Sequence, residues 1–220
     1  VNEIISRGFP ATAKVGVLAA LVSVVVGVSL GMVAAMWHGR LLDRVAIVIA
    51  TLGISIPAFV FAVLLMYLFC GILKLLPNYG LSTWRHYLLP VAGLSFASIA
   101  SITRLTRSSM LDVLRQDYIR TARAKGVREI VVILRHGLKN AILPVVTYTG
   151  PMIAALLTGG FVIERLYSIP GIGREYVNSV NNRDYSVLLG MTIYFGVLIT
   201  FANIMVDVVY VLIDPRIKYD

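Results

Sequence analysis

The stretch Asp117–Gly126 reads DYIRTARAKG and lies in a strongly basic connection between two apolar segments. From Arg104 to Lys139 the sequence has nine Lys and Arg residues and only three acidic residues. A connection of this charge between two membrane spans stays in the cytoplasm. Apolar residues recur in it at helical spacing, and glycine often closes a helix in a left-handed conformation. We therefore predict a helix that ends at Gly126 and a second, shorter helix over Arg128–Leu138.

The first predicted helix has two unlike faces. Its apolar stripe runs from Met110 to Ala122, and its opposite face is basic (Arg115, Arg120, Arg123 and Lys125). Such a helix transmits force if a cytosolic partner holds it. It can equally rest on anionic lipid headgroups.

Composition places the rest of the chain in a membrane. Of its 220 residues, 58% are hydrophobic and only 14% are charged. The net charge of +9 is concentrated in one connection, which the positive-inside bias explains without nucleic acid. Five segments are long enough to cross a bilayer. They are Val15–Met36, Val45–Leu73, Tyr87–Ile102, Ile142–Val162 and Val187–Ile213.

These segments predict an all-α integral membrane protein with about five transmembrane helices and a cytoplasmic helix pair. We expect one domain over residues 1–220, with the basic connection at about 104–141. Five spans put the termini on opposite sides, so the C-terminus is predicted to be cytoplasmic and the N-terminus external. Lys74–His86 and Glu164–Ser186 then lie outside. An external N-terminus leads us to expect a further span ahead of this chain.

Small residues and prolines mark four of the spans. Pro57 and Pro151 fall inside spans and predict kinks. Small side chains at a spacing of four allow close helix approach, either within the chain or at a subunit or pore-lining face. They are Ala19, Ser23, Gly27 and Gly31 in the first span, and Gly93, Ala97 and Ser101 in the third.

Asp207 is the clearest acid at membrane depth, with Asn203 one helical turn earlier. An intramembrane acid indicates a functional site, although a carboxylate near the inner interface or bonded to a neighbouring helix explains it more simply. The sequence has no Walker A loop, HExxH or GxSxG motif, and its three histidines do not cluster. We therefore expect no catalytic, metal or cofactor site in this chain.

Several motifs together resemble one family. RTARAKG at Arg120–Gly126 resembles the EAA loop of ABC importer permeases, with the Glu and first Ala replaced. RLTRSSMLDVLRQDY at Arg104–Tyr118, IPGIGR at Ile169–Arg174, NRDYSVLLG at Asn182–Gly190 and DPRIKY at Asp214–Tyr219 extend the match. The chain resembles the permease subunits of the peptide class, most closely the oligopeptide "B" type.

This resemblance implies a multi-pass subunit of a prokaryotic cell membrane with a type I importer fold. A second permease, two cytosolic ATPases that bind the ATP, an external peptide-binding protein and membrane lipid would be its partners. The residues that would couple to the ATPases are Asp117, Arg120, Thr121, Ala122, Ala124 and Gly126. Pro170, Gly171 and Gly173 would form an external turn that contacts the binding protein, forms a gate, or simply joins two spans.

Two other functions stay open. Import of nickel or another small solute stays open within the same class, because the external binding protein, and not the permease, largely selects the substrate. A secondary transporter has the same apolar composition, but it should show inverted repeats or several intramembrane charges, and neither is found in this sequence.

Overall fold

The computed structural model describes residues 1–213, without the side chains of residues 207 and 209–213. The carboxyl group of Asp207 and the closing motif Asp214–Tyr219 therefore lie outside the described residues. Asn203, the expected neighbour of Asp207, has an exposed side chain.

Throughout residues 1–213 the regular structure is helical, which confirms the predicted all-α fold. The α-helices are α1 (Asn2–Met36), α2 (Leu41–Ser55), α3 (Ala58–Met66), α4 (Arg85–Leu114), α5 (Asp117–Ala124), α6 (Glu129–Val131), α7 (Lys139–Ala141), α8 (Leu143–Leu157), α9 (Phe161–Leu166), α10 (Ile172–Asn181) and α11 (Tyr185–Ile213). Two π-helical segments, Tyr67–Ile72 and Val132–Leu138, follow α3 and α6 directly.

Among the described residues, four helical stretches are long and apolar enough to cross a membrane, and a bent helix pair makes a fifth. Two spans are longer than predicted. Helix α1 begins at Asn2 instead of Val15, and α4 continues to Leu114 instead of stopping at Ile102. The last turns of α4 therefore belong to the basic connection.

The predicted kink at Pro57 is a complete break. The helices on either side of it, Leu41–Ser55 and Ala58–Ile72, meet at 103°. Ile56 has an extended backbone with φ −86° and ψ 122°, as expected for a residue before proline, and Pro57 has no N–H to continue the helix. Pro151, by contrast, lies inside α8, which continues as one helix.

The small-residue face of α1 packs against α4 of the same chain. Ala19 and Ser23 are fully buried, and the Ser23 hydroxyl lies 3.4 Å from the Ser95 carbonyl oxygen. A Cβ atom on Gly27 would lie 2.7 Å from Ile102 Cβ, and one on Gly31 would lie 2.6 Å from the Thr103 carbonyl oxygen. This face is therefore an intramolecular contact, and the alternative of a subunit or pore-lining face is wrong for it.

The second small-residue face is only partly covered. A Cβ atom on Gly93 would lie 3.0 Å from Ala62 Cβ, so Gly93 allows α3 to approach α4. Ala97 and Ser101 are half-buried, and the Ser101 hydroxyl donates to the Ala97 carbonyl at 3.0 Å.

Candidate functional site

The basic connection contains a sharp turn after α4 that the sequence pattern did not reveal. The predicted apolar stripe from Met110 to Ala122 is divided between two helices, because α4 ends at Leu114. Gln116 has an extended backbone, with φ −70° and ψ 152°. Its carbonyl oxygen accepts hydrogen bonds from the N–H groups of the third and fourth following residues, at 3.1 and 3.3 Å, and so starts α5.

The C-terminus of α5 confirms the predicted glycine cap. Gly126 has φ +76°, in the left-handed region. Its N–H donates to the Arg123 carbonyl at 3.0 Å, and the Val127 N–H donates to the Ala122 carbonyl at 3.3 Å. This pair of bonds is a Schellman motif. No atom lies within 4 Å of a Cβ placed on Gly126. The left-handed backbone conformation, and not a lack of space, therefore favours glycine at this position.

Helix α5 is anchored by one apolar side chain and two polar contacts. Ile119 is fully buried. The Arg123 guanidinium donates to both carboxylate oxygens of Glu129, at 3.1 and 2.6 Å, and this bond lowers the pKa of Glu129. The Asn140 side-chain amide donates to the Tyr118 hydroxyl at 2.8 Å. The predicted second helix is present as α6, the π-helical segment Val132–Leu138 and α7.

The outer face of α5 is exposed in the part of the chain that the structure describes. Of the six predicted coupling residues, Ala122 is half-buried and the others are exposed (Asp117, Arg120, Thr121, Ala124 and Gly126). The apolar side chains of Ile130 and Leu134, on the segments that follow α5, are also exposed. Exposed charged and small side chains on a helix that is anchored to the rest of the chain suit a protein partner.

The helix pair rests on the ends of two spans. Met110 of α4, Ala35 of α1 and Ile133 of the π-helical segment share one buried apolar cluster. The π-helical segment Val132–Leu138, which also contacts α5, is therefore packed against the ends of α1 and α4.

A buried ion pair near this cluster was not predicted. Asp43 of α2 is 2% exposed. Its carboxylate accepts hydrogen bonds from Nε and Nη2 of Arg107 in α4, the second at 2.8 Å. The Gly39 N–H donates to the same carboxylate at 2.8 Å, and His38 Nδ1 lies 3.2 Å from it. The ion pair ties the α1–α2 turn to α4. Its partners are 64 residues apart, and the only signal in the sequence was a single acid, between Arg40 and Arg44, at the start of an apolar run.

The predicted external turn closes over a second buried acid. Glu164 is 2% exposed and lies against Gly171 and Gly173. Its carboxylate accepts hydrogen bonds from the Thr12 hydroxyl at 2.7 Å and from the Arg174 N–H at 3.0 Å. A side chain on either glycine would collide with the carboxylate. Both glycines are buried and only Pro170 of the three predicted residues is exposed. Gly173 lies inside α10, so the predicted turn ends at Gly171, and its contact with a binding protein or its role as a gate stays a prediction.

Comparison with known proteins identifies the family. The family described as "Binding-protein-dependent transport system inner membrane component" matches residues 27–219. The chain belongs to this family. It is 46% identical to the dipeptide transport system permease protein DppB of Bacillus subtilis, over 99% of this chain and 71% of the relative. It is 45% identical to the oligopeptide permease OppB of Escherichia coli K12, over 100% and 72%.

Further similarity extends to a glutathione permease and to solved structures. The glutathione transport system permease protein GsiC of Salmonella typhi is 44% identical, over 99% of this chain and 71% of the relative. The fold matches the MetNI methionine ABC transporter with a TM-score of 0.78, 16% identity and 96% coverage of both chains. An amino acid ABC transporter matches with a TM-score of 0.72 and 16% identity, over 94% and 92%.

These matches confirm the predicted class. The chain is a multi-pass membrane permease subunit with the fold of ABC type I importer permeases. Such subunits work with a partner permease and with ATPase subunits. The roles of individual residues on α5 stay predictions.

Proposed function

We propose that this chain forms half of the translocation pathway of an ATP-driven peptide importer and that α5 is its coupling helix. The names of three relatives at 44–46% identity, which transport dipeptides, oligopeptides and glutathione, support peptides as the substrate class. The exposed face of α5, on a helix held by Ile119, is the observation that carries the coupling role.

The proposed mechanism needs no catalytic group in this chain. A second permease completes the pathway, two cytosolic ATPases bind and hydrolyse ATP, and an external binding protein delivers the peptide. When the ATPases close, they displace α5. The buried cluster around Met110 and Ala35 then moves the ends of α4 and α1, which shifts the pathway between its outward- and inward-facing states.

Reconstitution of the whole complex in liposomes tests this function. With ATP inside, the complex is expected to import a labelled di- or oligopeptide supplied with the binding protein. Import of nickel or another small solute, with no peptide import, would support the second candidate substrate class. Peptide import without ATPases would contradict the proposal and indicate a secondary transporter.

The cap of α5 gives a sharp test of coupling. Gly126→Val forces a β-branched residue into the left-handed region, at a cost of at least about 1–2 kcal/mol. We expect the rate of import per complex to fall about 5- to 30-fold while basal ATP hydrolysis continues. Gly126→Asn is the matched control, because Asn tolerates this conformation and no neighbour opposes its side chain. Equal import by both variants would show that this cap is not part of the coupling element.

The charge pattern also predicts orientation. Lys125 should face the cytoplasm and Arg174 the outside, because the connection that contains Lys125 has a large excess of basic residues. Each residue is replaced by cysteine in a Cys70→Ala background, and intact cells are treated with a membrane-impermeant maleimide. Position 174 is expected to react on intact cells and position 125 only after permeabilisation. The reverse result would invert the proposed topology.

A further inference from the structure

An open groove of about 1040 Å³ lies between the first half of α1 and the start of α4. Lys14, Val17 and Val22 lie on its α1 side, and Leu88 and Ala92 lie on its α4 side. Elsewhere along α1 and α4, glycines allow the two backbones to come into contact. The groove is therefore a local gap between these helices. Its size is that of a site for a sizeable organic ligand.

The two ends of the groove differ in chemistry. The contacts of Ser23 with Ser95 and of Gly31 with Thr103 show that α1 and α4 run parallel, which places Lys14 near the level of the α4 N-terminus. Ser82, Thr83 and Trp84 line the groove near that level. Further along both helices, the lining from Val17 to Val22 and from Leu88 to Ala92 is apolar. The groove is thus mainly apolar, and its few polar groups and the Lys14 side chain lie at one end.

The dimensions agree with one leaflet of a bilayer. Lys14 and Val22 are eight residues apart on one helix, a rise of about 12 Å. Half of a hydrocarbon core is about 15 Å thick. A Trp beside the polar end fits the aromatic belt at a membrane interface.

The polar end has positive charge and no acid to balance it among the described residues. Lys14 is exposed and forms no ion pair in this part of the chain. The Arg85 guanidinium lies over the Trp84 ring, 5.7 Å from its centroid, next to the groove. The Lys14 ammonium is therefore available to an anionic group that enters this end of the groove. A lipid phosphate supplies that charge while its acyl chains fill the apolar end.

We propose that this groove binds a phospholipid with an anionic headgroup. The phosphate contacts Lys14, and an acyl chain lies between Val17 of α1 and Leu88 of α4. This inference does not depend on the substrate or on the coupling role of α5.

Native mass spectrometry of the assembled complex tests the proposal, with phosphatidylglycerol and phosphatidylcholine as competing lipids. The wild type is expected to retain phosphatidylglycerol preferentially, and Lys14→Met is expected to lower its affinity about fivefold. Lys14→Arg should keep the preference. Arg7→Met, which removes an exposed cation from the same helix outside the groove, is the matched control. Equal retention of phosphatidylglycerol by Lys14→Met and Arg7→Met would overturn the proposal.

A photo-cross-linking residue at position 18, which lines the groove, identifies the occupant directly. Adducts with the mass of a phospholipid are expected. Adducts with another subunit, or with a further segment of the same polypeptide, would show that protein covers the groove and would also overturn the proposal.

Discussion

Asp43→Asn is expected to destabilise the permease by about 3–5 kcal/mol, the cost of breaking a buried ion pair by removing one partner. The asparagine keeps the size of the side chain and an oxygen for the Gly39 N–H, but it leaves the Arg107 guanidinium with no charge to balance it. Thermal unfolding of the purified complex, followed by tryptophan fluorescence, measures the loss. We expect a lower transition temperature and a lower yield of assembled complex.

Glu3→Gln is the matched control for this variant. It removes the carboxylate of the Glu3–Arg7 pair, whose side chains are 73% and 79% exposed, and exposed pairs contribute little. The double variant Asp43→Asn with Arg107→Met should recover part of the lost stability, because no buried charge then lacks a partner. If Asp43→Asn and Glu3→Gln unfold at the same temperature, the buried ion pair does not hold α2 to α4.

Gly27→Leu combined with Gly31→Leu is expected to prevent α1 from packing on α4. Each new side chain would meet atoms of α4 at 2.6–2.7 Å from its Cβ alone, and one of these atoms is a backbone oxygen. Overpacking costs about 1–3 kcal/mol at each site. We expect the permease subunit to be lost even when it is expressed without its partners, measured as its level in the membrane and its resistance to protease.

Gly196→Leu is the control for the two glycines of α1. Gly196 also lies in a long membrane helix, but no atom lies within 4 Å of its Cβ position, so leucine should be tolerated. If the Gly27 and Gly31 double variant accumulates normally alone and fails only in assembly with a second permease, its stripe is a subunit contact and the α1–α4 packing described above is incorrect.

The sequence predicted the parts of the fold that depend on local patterns. Long apolar runs located the spans, and the position of Gly126 located the end of α5, because only a few residues tolerate its backbone conformation. A spacing of four identified the small face of α1. It did not identify the partner of that face, since close approach to a helix of the same chain and to another subunit requires the same small residues.

The features that depend on distant contacts were not predictable in this way. Proline indicated a bend at Pro57, but its 103° angle depends on where α2 and α3 pack. The ion pair of Asp43 with Arg107 and the contact of Glu164 with Thr12 join residues 64 and 152 positions apart. The sequence pattern instead indicated Asp207, an acid inside a long apolar run. Glu164 also follows an apolar stretch, but its charged neighbours suggested an ordinary connection.

The central claim is that the exposed face of α5 binds a cytosolic ATPase during transport. Photo-cross-linking from position 121, on this face, in a complex that is importing peptide tests it most directly. Thr121 is exposed, and its side chain makes no hydrogen bond beyond its own helix among the described residues, so the replacement should not disturb the fold. Position 170, exposed on the turn over Glu164, is the control. We expect an adduct with the ATPase from position 121 and none from position 170; active import with no ATPase adduct from position 121 would show that this face does not bind the ATPase.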